Sequence, residues 1–352
     1  MARIALVCEP PDGGAAEHVA QLARGLGAYG HEAVVFAPRG FAPAVDFVPL
    51  PFRRDYAHPQ DDARSLATLI RAARGFDLVH AHSAKAGVLA RLAALAAVRP
   101  AVYTPHGFPF VGDMREARRV FSRVAERALA PSTAAIIAVC EFERDLARAE
   151  KLRPARIAVV HNGSPPCDAP PRPPGGLTVG TVSALRRGKG VDVFLAAAPR
   201  ILEAVPDAQL VVTGDGPLRD ELKRAADPRV RFEPYRPPAH NHLKALDVYV
   251  LASSWEAFPI GPLEALACGV PQVVTAVGGT REAVTGQTGL LIPPKDPDAL
   301  AQAVIELLKD PQRRARMQHA SRERHARRFT VDRMVAGTAA VYDAVLSTRR
   351  GR

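Results

Sequence analysis

Aromatic side chains are scarce in this chain, 6% of 352 residues with a single Trp. It has no paired Cys/His zinc spacing and no aromatic ribonucleoprotein strand, so no nucleic-acid partner is expected despite a net charge of +11. Lysine is scarcer still, 7 of the 47 basic residues, the other 40 being Arg. Such a balance favours acidic partners, either a phosphate-bearing substrate or an anionic membrane face, with plain solvated surface charge as the alternative. The four cysteines, Cys8, Cys140, Cys167 and Cys268, lie far apart without a CxxC pair, so neither a zinc site nor a disulfide framework is expected. A reduced, cytoplasmic setting follows. Long apolar runs are missing too. The first, Ile4 to Cys8, gives way at once to Glu9, two prolines and two glycines, too short for a signal-peptide core. The longest, near Val88 to Val98, is broken by Arg91 and falls short of the ~18 residues that span a bilayer. The expectation is a soluble protein, or one peripheral at an inner membrane face.

The remaining composition, 47% apolar and 24% charged, is globular, and the length accommodates about two domains. Short β-rich runs alternate with longer helical patterns, which argues for parallel βαβ units. Strands are expected at 4–8, 33–36, 78–81, 101–104, 136–139 and 157–160. After Ser164 to Gly176, which holds six prolines and two glycines in 13 residues, they resume at 178–182, 209–213, 230–232, 248–252, 272–277 and 290–292. The reading is an α/β chain of two doubly wound Rossmann-like domains facing a cleft: 1–164, a stiff Pro-rich linker over 165–176, and 177–330. The chain is helical from about 297 on, and a last helix, 331–352, is expected to pack back on the first domain.

Open α/β sheets bind ligands at the carboxyl ends of their strands, and that rule sorts the motifs. Gly25, Gly27 and Gly30 spell Gly-x-Gly-x-x-Gly, but they end a helix instead of opening one, so they are read as caps and turns. Gly13 and Gly14 do follow the first strand and open a helix, where bare amides can approach a phosphate or sugar. His82 follows the third strand and His106 the fourth, both on the ligand edge. His161, in His-Asn-Gly, is read as part of a turn. In the second domain Arg186, Arg187 and Lys189 crowd a helix start, which suits a diphosphate. The stretch from Trp255 to Gly269 places Glu256 on a loop and Glu264 on the helix that follows. The amides from Ile260 and Gly261 to Leu263 are placed to hold a phosphate, and the two carboxylates to accept hydrogen bonds from ribose and sugar hydroxyls. Asp296-Pro-Asp298, the one Asp-x-Asp, precedes a helix and is read as a cap, so no metal site is expected.

Glu256, seven intervening residues and Glu264, then Ala-Leu-Ala-Cys-Gly-Val-Pro and Val277-Gly-Gly, resemble the signature of retaining nucleotide-sugar glycosyltransferases of family 4, with the GT-B fold. Asp12-Gly-Gly-Ala-Ala-Glu-His, Asp77-Leu-Val-His-Ala-His-Ser, Thr104-Pro-His-Gly-Phe, Val160-His-Asn-Gly, Gly180-Thr-Val, Lys189-Gly190 and Gly214-Asp-Gly-Pro occur in family order, so the resemblance spans the chain. It implies that Glu264 binds the ribose, Glu256 a donor-sugar hydroxyl and Lys189 the diphosphate. Gly14 then approaches the donor and His106 lies at the reacting centre, with Gly13, His82, Arg186, Arg187, Phe258, Ile260 and Gly261 as further substrate contacts and His106 and Glu256 as the catalytic pair. It also implies anomeric retention without a protein nucleophile, with no cofactor or metal, the nucleotide sugar being a substrate. The expected partners are a UDP- or GDP-type donor, a glycan or lipid-linked acceptor of cell-surface polysaccharide or glycolipid synthesis, and an anionic membrane surface.

Two positions depart from the family pattern. Ala184 stands where members carry Arg, so Arg186 or Arg187 is expected to supply that charge, and Pro234 replaces a Gly near the base site. A helix over 114–129 with Val120, Phe121, Val124, Ala128 and Leu129 among five arginines suits either an anionic surface or packing on the sheet. The competing functions are a GT-B nucleotide-sugar epimerase, a glycan phosphorylase and a catalytically silent sugar-nucleotide binding module. A phosphorylase needs a pyridoxal-phosphate lysine, and no Lys occurs between Lys244 and Lys295.

Overall fold

The computed structural model of the chain describes residues 1–53, 57–112, 114–168 and 177–350, the side chains of 349 and 350 excepted. They divide into two compact units, Met1–Gly163 with Val331–Arg352, and Ser164–Thr330. The first holds strands β1 (Ala2–Cys8), β2 (His31–Pro38), β3 (Phe47–Leu50), β4 (Leu78–His82), β5 (Ala101–Thr104), β6 (Ala135–Ala138) and β7 (Ile157–Val159). They form one sheet in the order β3-β2-β1-β4-β5-β6-β7 with every pair parallel. The second unit holds β8 (Thr178–Val182), β9 (Gln209–Thr213), β10 (Val230–Glu233), β11 (Val248–Leu251), β12 (Gln272–Thr275) and β13 (Gly289–Ile292), again all parallel, in the order β10-β9-β8-β11-β12-β13. Strand order reverses beside β1 in one sheet and beside β8 in the other, which defines the two switch points.

β1 is buried along its whole length except at Arg3, as expected of a parallel strand covered on both faces. Alternate residues feed different cores: Ala5 and Val7 join Phe36, Leu69 and Tyr103, whereas Ile4 and Leu6 join Val19, Leu22 and the last helix. That helix, Val331–Arg350, contributes Met334, Val335, Ala339 and Tyr342 to the first unit. Gly30, at φ +77°, ends the turn after the helix Gly13–Gly25, which is the capping role read from its glycines.

Three features differ from the sequence reading. β3 was not expected. It is a four-residue edge strand with Pro49 inside and Val48 exposed, a pattern that a two-sided apolar test misses. Cys167 and Cys268 form a disulfide with Cα atoms 5.0 Å apart, although 101 residues separate them; only the tertiary fold creates that proximity, and spacing along the chain hides it. Cys8 and Cys140 are buried thiols outside this disulfide. The expected stiff linker begins as part of the second unit. The Ser164 amide donates to the Phe329 carbonyl, its hydroxyl meets His325 Nε2 at 3.0 Å, and Cys167 is bonded to Cys268. The rest of that expected linker, 169–176, lies outside the described residues. No helix among the described residues is long and apolar enough to cross a membrane.

One buried ion pair ties the helix Glu116–Leu129 to the helix Ala84–Ala96. Arg91 Nη2 donates to Glu126 Oε2 at 2.8 Å and its guanidinium lies 4.1 Å over the Tyr103 ring, while Tyr103 Oη donates to Glu126 Oε1 at 3.2 Å. Burial pushes the Glu126 carboxyl up, against the pull of Arg91. Removing one partner strands the other charge, so Glu126→Ala is expected to cost about 3–5 kcal/mol. Arg91→Met combined with Glu126→Leu should lie closer to wild type than either single change in urea unfolding. A double variant as unstable as the sum of the singles would contradict this account.

Candidate active site

In the first unit the carboxyl ends of β1, β4 and β5 meet in register, Cys8 beside His82 and His82 beside Thr104. Four imidazoles gather there. His80 spends both ring nitrogens on structure, Nδ1 with Tyr342 Oη at 2.5 Å and Nε2 with Thr104 Oγ1 at 2.8 Å. His82 Nδ1 lies 3.1 Å from His106 Nε2, and the His18 ring sits 4.7 Å from that of His106. Asn162 Oδ1 accepts from His18 Nδ1 at 3.0 Å, which orients a ring the sequence reading did not single out. The His161-Asn-Gly motif therefore does more than turn the chain. Burial lowers all four, His18 to about 4 and the others well below the ordinary imidazole range. At neutral pH the cluster is an uncharged set of lone pairs and N–H groups. One ring nitrogen from each of His18, His82 and His106 lies within 4.8 Å of the others, close enough for a transition metal to span.

His106 sits at φ +53° and Gly107 at +102°, a turn unusual for a side-chain-bearing residue. Its support is Glu143, in the first turn of the helix Glu141–Ala149. The Glu143 carboxylate accepts from the Gly107 amide at 2.6 Å and from the Val139 amide at 2.8 Å. Glu143 was missed in the sequence, where it reads as an ordinary acid at a helix start. Gly13 and Gly14 open their helix exposed, and no side chain caps it among the described residues.

In the second unit the switch point lies between β8 and β11, and the two loops leaving those strands touch through backbone. Gly190, at φ +68°, has no room for a side chain, since a Cβ would stand 1.9 Å from the Ala252 carbonyl oxygen. Beside it Lys189 Nζ donates to Glu256 Oε1 at 2.5 Å, and Ser253 Oγ donates to the same oxygen at 2.7 Å. Glu264 rides the helix Ile260–Cys268, half-buried. Tyr249 on β11 was not foreseen. Burial and the charges of Glu264 and Glu256 push its phenol up. Gly261 admits that hydroxyl beneath the helix start, where a Cβ would stand 2.6 Å from Tyr249 Oη.

Arg186 and Arg187 are exposed in the same loop as Lys189 and make no ion pair among the described residues. Ile260 is half-buried at the helix start. The Phe258 side chain is 3% exposed and packs 5.6 Å from the Phe329 ring, so that ring belongs to the core. The Tyr235 amide beside Pro234 donates to Asp215 Oδ2 at 3.0 Å. Asp296 caps the helix Pro297–Lys309 through the Ala299 amide, as its position implied.

Residues 12–166 match the model of Glycosyltransferase Family 4 and residues 176–310 that of Glycosyl transferases group 1. The chain is 30% identical to a UDP-Gal:alpha-D-GlcNAc-diphosphoundecaprenol alpha-1,3-galactosyltransferase of Escherichia coli, over 71% of this chain and 71% of that protein. It is 31% identical to a D-inositol 3-phosphate glycosyltransferase of Corynebacterium urealyticum, over 70% of this chain and 68% of that protein. Among solved structures, Anabaena HepE in complex with UDP and glucose superposes with a TM-score of 0.80 at 20% identity, covering 97% of this chain and all of that one. The chain therefore belongs to glycosyltransferase family 4 and has the GT-B fold of two Rossmann-like units. Its activity is glycosyl transfer, and the epimerase and silent-module readings find no support in these relatives.

Glu143 supplies a pH test of the His106 turn. Burial pushes its carboxyl up to about 7, against the pull of the two amides. A folded value above the unfolded one of about 4.3 means that the protonated form is favoured by folding. That contribution is full below about pH 4.3 and is lost as pH rises through about 7, a loss of about 4 kcal/mol. The stability difference between wild type and Glu143→Gln, measured by urea unfolding across pH 4 to 8, is expected to shift by that amount. Parallel curves would contradict the assignment.

Proposed function

We propose that the chain is a retaining, metal-independent glycosyltransferase that takes a nucleoside-diphosphate sugar in its second unit. The observation that carries this is the Lys189–Glu256 pair at the β8/β11 switch point, with Glu264 and a helix start beside it. Lys189 is the cation for the donor diphosphate. Its charge is matched here by Glu256, so an arriving diphosphate needs further positive charge, and exposed Arg186 and Arg187 in the same loop are the candidates. The amides of Ile260, Gly261 and Leu263 face the phosphate, Pro262 having none to offer. Glu264 accepts from the ribose hydroxyls and Glu256 from a donor-sugar hydroxyl, with Ser253 holding its other side.

In the reaction the bond from the anomeric carbon to the diphosphate oxygen breaks, and the bond to the acceptor oxygen forms on the same face. The acceptor's proton passes to the departing phosphate. Fixed cations and amides stabilise the charge that develops on the leaving group, which is where preorganised dipoles act most strongly. Neutral His106 serves the reacting centre as a hydrogen-bonding group, held in its turn by Glu143. UDP sugars are the first donors to test, since the E. coli relative is named for UDP-Gal and the Anabaena neighbour holds UDP.

For the acceptor we favour a lipid-linked glycan, as the name of the E. coli relative describes for that enzyme. On the helix Glu116–Leu129 the apolar residues are turned outward, Phe121 71% and Val124 59% exposed, while Ser122 and Glu126 face inward. Packing of that stripe on the sheet is thereby replaced by an apolar ridge. Arg115, Arg118 and Arg127 are exposed around it, and a groove of about 440 Å³ runs between Val120, Val124 and Ala149. This surface suits an anionic bilayer.

Glu256→Ala and Glu264→Ala are expected to raise the donor KM or lower kcat/KM by about tenfold to a hundredfold, the range for hydrogen bonds to a charged group. Nucleotide release measured over a donor panel checks this, and wild-type kinetics in either variant would remove the assignment. Activity that survives chelation supports metal independence; activity restored only by added metal overturns it. In vesicle sedimentation the protein should bind anionic but not neutral bilayers. Phe121→Asp and Arg118→Gln should each weaken that binding severalfold, and absence of binding at low salt would favour a water-borne acceptor.

A further inference from the structure

The second unit carries a set of donor atoms that takes no part in the candidate active site. Two sulfurs and a ring nitrogen, from Cys167, Cys268 and His240, all lie within 4.8 Å of one another. Cys268 ends the helix that carries Glu264, His240 belongs to the short helix Ala239–Leu243, and Cys167 lies just past the unit boundary. The sulfurs are joined in the disulfide. His240 is left over: its Nε2 is buried and meets no polar partner among the described residues, although only 6% of the residue is exposed. A buried ring with an unpartnered nitrogen needs an explanation, and two sulfurs beside that ring supply one.

Two thiolates and one imidazole are a donor set of zinc, with a fourth position open to water. Two thiolates on one zinc stand about 3.8 Å apart at Zn–S lengths of about 2.3 Å. The 5.0 Å spacing of the cysteine Cα atoms admits that separation. We propose that Cys167, His240 and Cys268 form a zinc-class metal site that thiol oxidation closes. A dithiol reductant passes two electrons and two protons to the disulfide, becoming a disulfide itself and leaving Cys167 and Cys268 as thiols. A divalent ion then binds the two sulfurs and the lone pair of a His240 ring nitrogen, and two protons are released. A disulfide oxidant reverses the sequence, reforming the Cys167–Cys268 bond and expelling the ion. In the oxidised and metal-bound forms the end of the Glu264 helix is tied to the segment at Cys167; in the reduced, metal-free form it is not.

This inference is independent of the donor-site reading, and its test reads metal and thiols instead of activity. Protein treated with a disulfide oxidant should show two titratable thiols on denaturation, those of Cys8 and Cys140, and four after dithiol reduction. The reduced and desalted protein should take up one equivalent of Co²⁺ with a thiolate-to-cobalt charge-transfer band, and one Zn²⁺ should displace it. The oxidised protein should bind neither. Cys167→Ser should abolish tight binding, and His240→Ala should weaken it at least tenfold while keeping a charge-transfer band. Cys167 is only partly buried, so its variant keeps the test open if Cys268→Ser fails to fold. Four thiols after oxidant treatment, no stoichiometric metal in the reduced protein, or uptake unaffected by Cys167→Ser would each overturn the proposal.

Discussion

In an all-parallel sheet every strand delivers its carboxyl end to the same edge, so the loops that leave it are gathered however far apart they lie in the chain. Both sheets of this protein obey that constraint without exception among the described residues. It puts His82 and His106, 24 residues apart, into contact, and it brings Lys189 to Glu256 across 67 residues. The sheet can afford no mixed strand at these places, because a single reversal would send one loop to the opposite edge. Backbone contacts then set the fine spacing, as where Gly190 presses on the Ala252 carbonyl.

The two edges gather opposite kinds of chemistry. At the first, burial keeps the imidazoles neutral, so that they offer hydrogen-bonding groups in place of charge. The second is ionic, with the Lys189–Glu256 pair and Glu264 on a helix whose start lies over a buried phenol. That division fits a reaction in which charge moves onto a phosphate leaving group while the other partner is a neutral hydroxyl.

Much of this was legible in the sequence. Six of the seven first-unit strands and all six of the second announce themselves as apolar runs, since strands buried on both faces are written that way. The motifs after them mark the site, because ligand-edge loops must carry small and charged residues together. What was not legible depends on contacts between distant segments. Glu143 has the local sequence of a helix-start acid, and nothing nearby says that it will hold the Gly107 amide. Asn162 reads as a turn residue until His18 lies against it. Cys167 and Cys268 follow no spacing rule, since their meeting is a product of the whole second unit. Phe258 sits inside the strongest motif and yet belongs to the core.

The last helix carries a consequence for how the molecule is made. Met334, Val335 and Tyr342 belong to the core of the first unit, and Tyr342 hydrogen-bonds His80, whose ring lies against that of His82. On a ribosome the first 163 residues emerge long before these side chains exist. The nascent amino-terminal sheet, covered on that face by the helix Gly13–Gly25, lacks the share of cover that the last helix supplies while all of the second unit is synthesised. The second unit needs nothing from beyond Thr330 to complete its own core. The half of the protein that is translated first is therefore the half that matures last, and the apolar strip left for the last helix is the surface that a chaperone has the longest opportunity to meet.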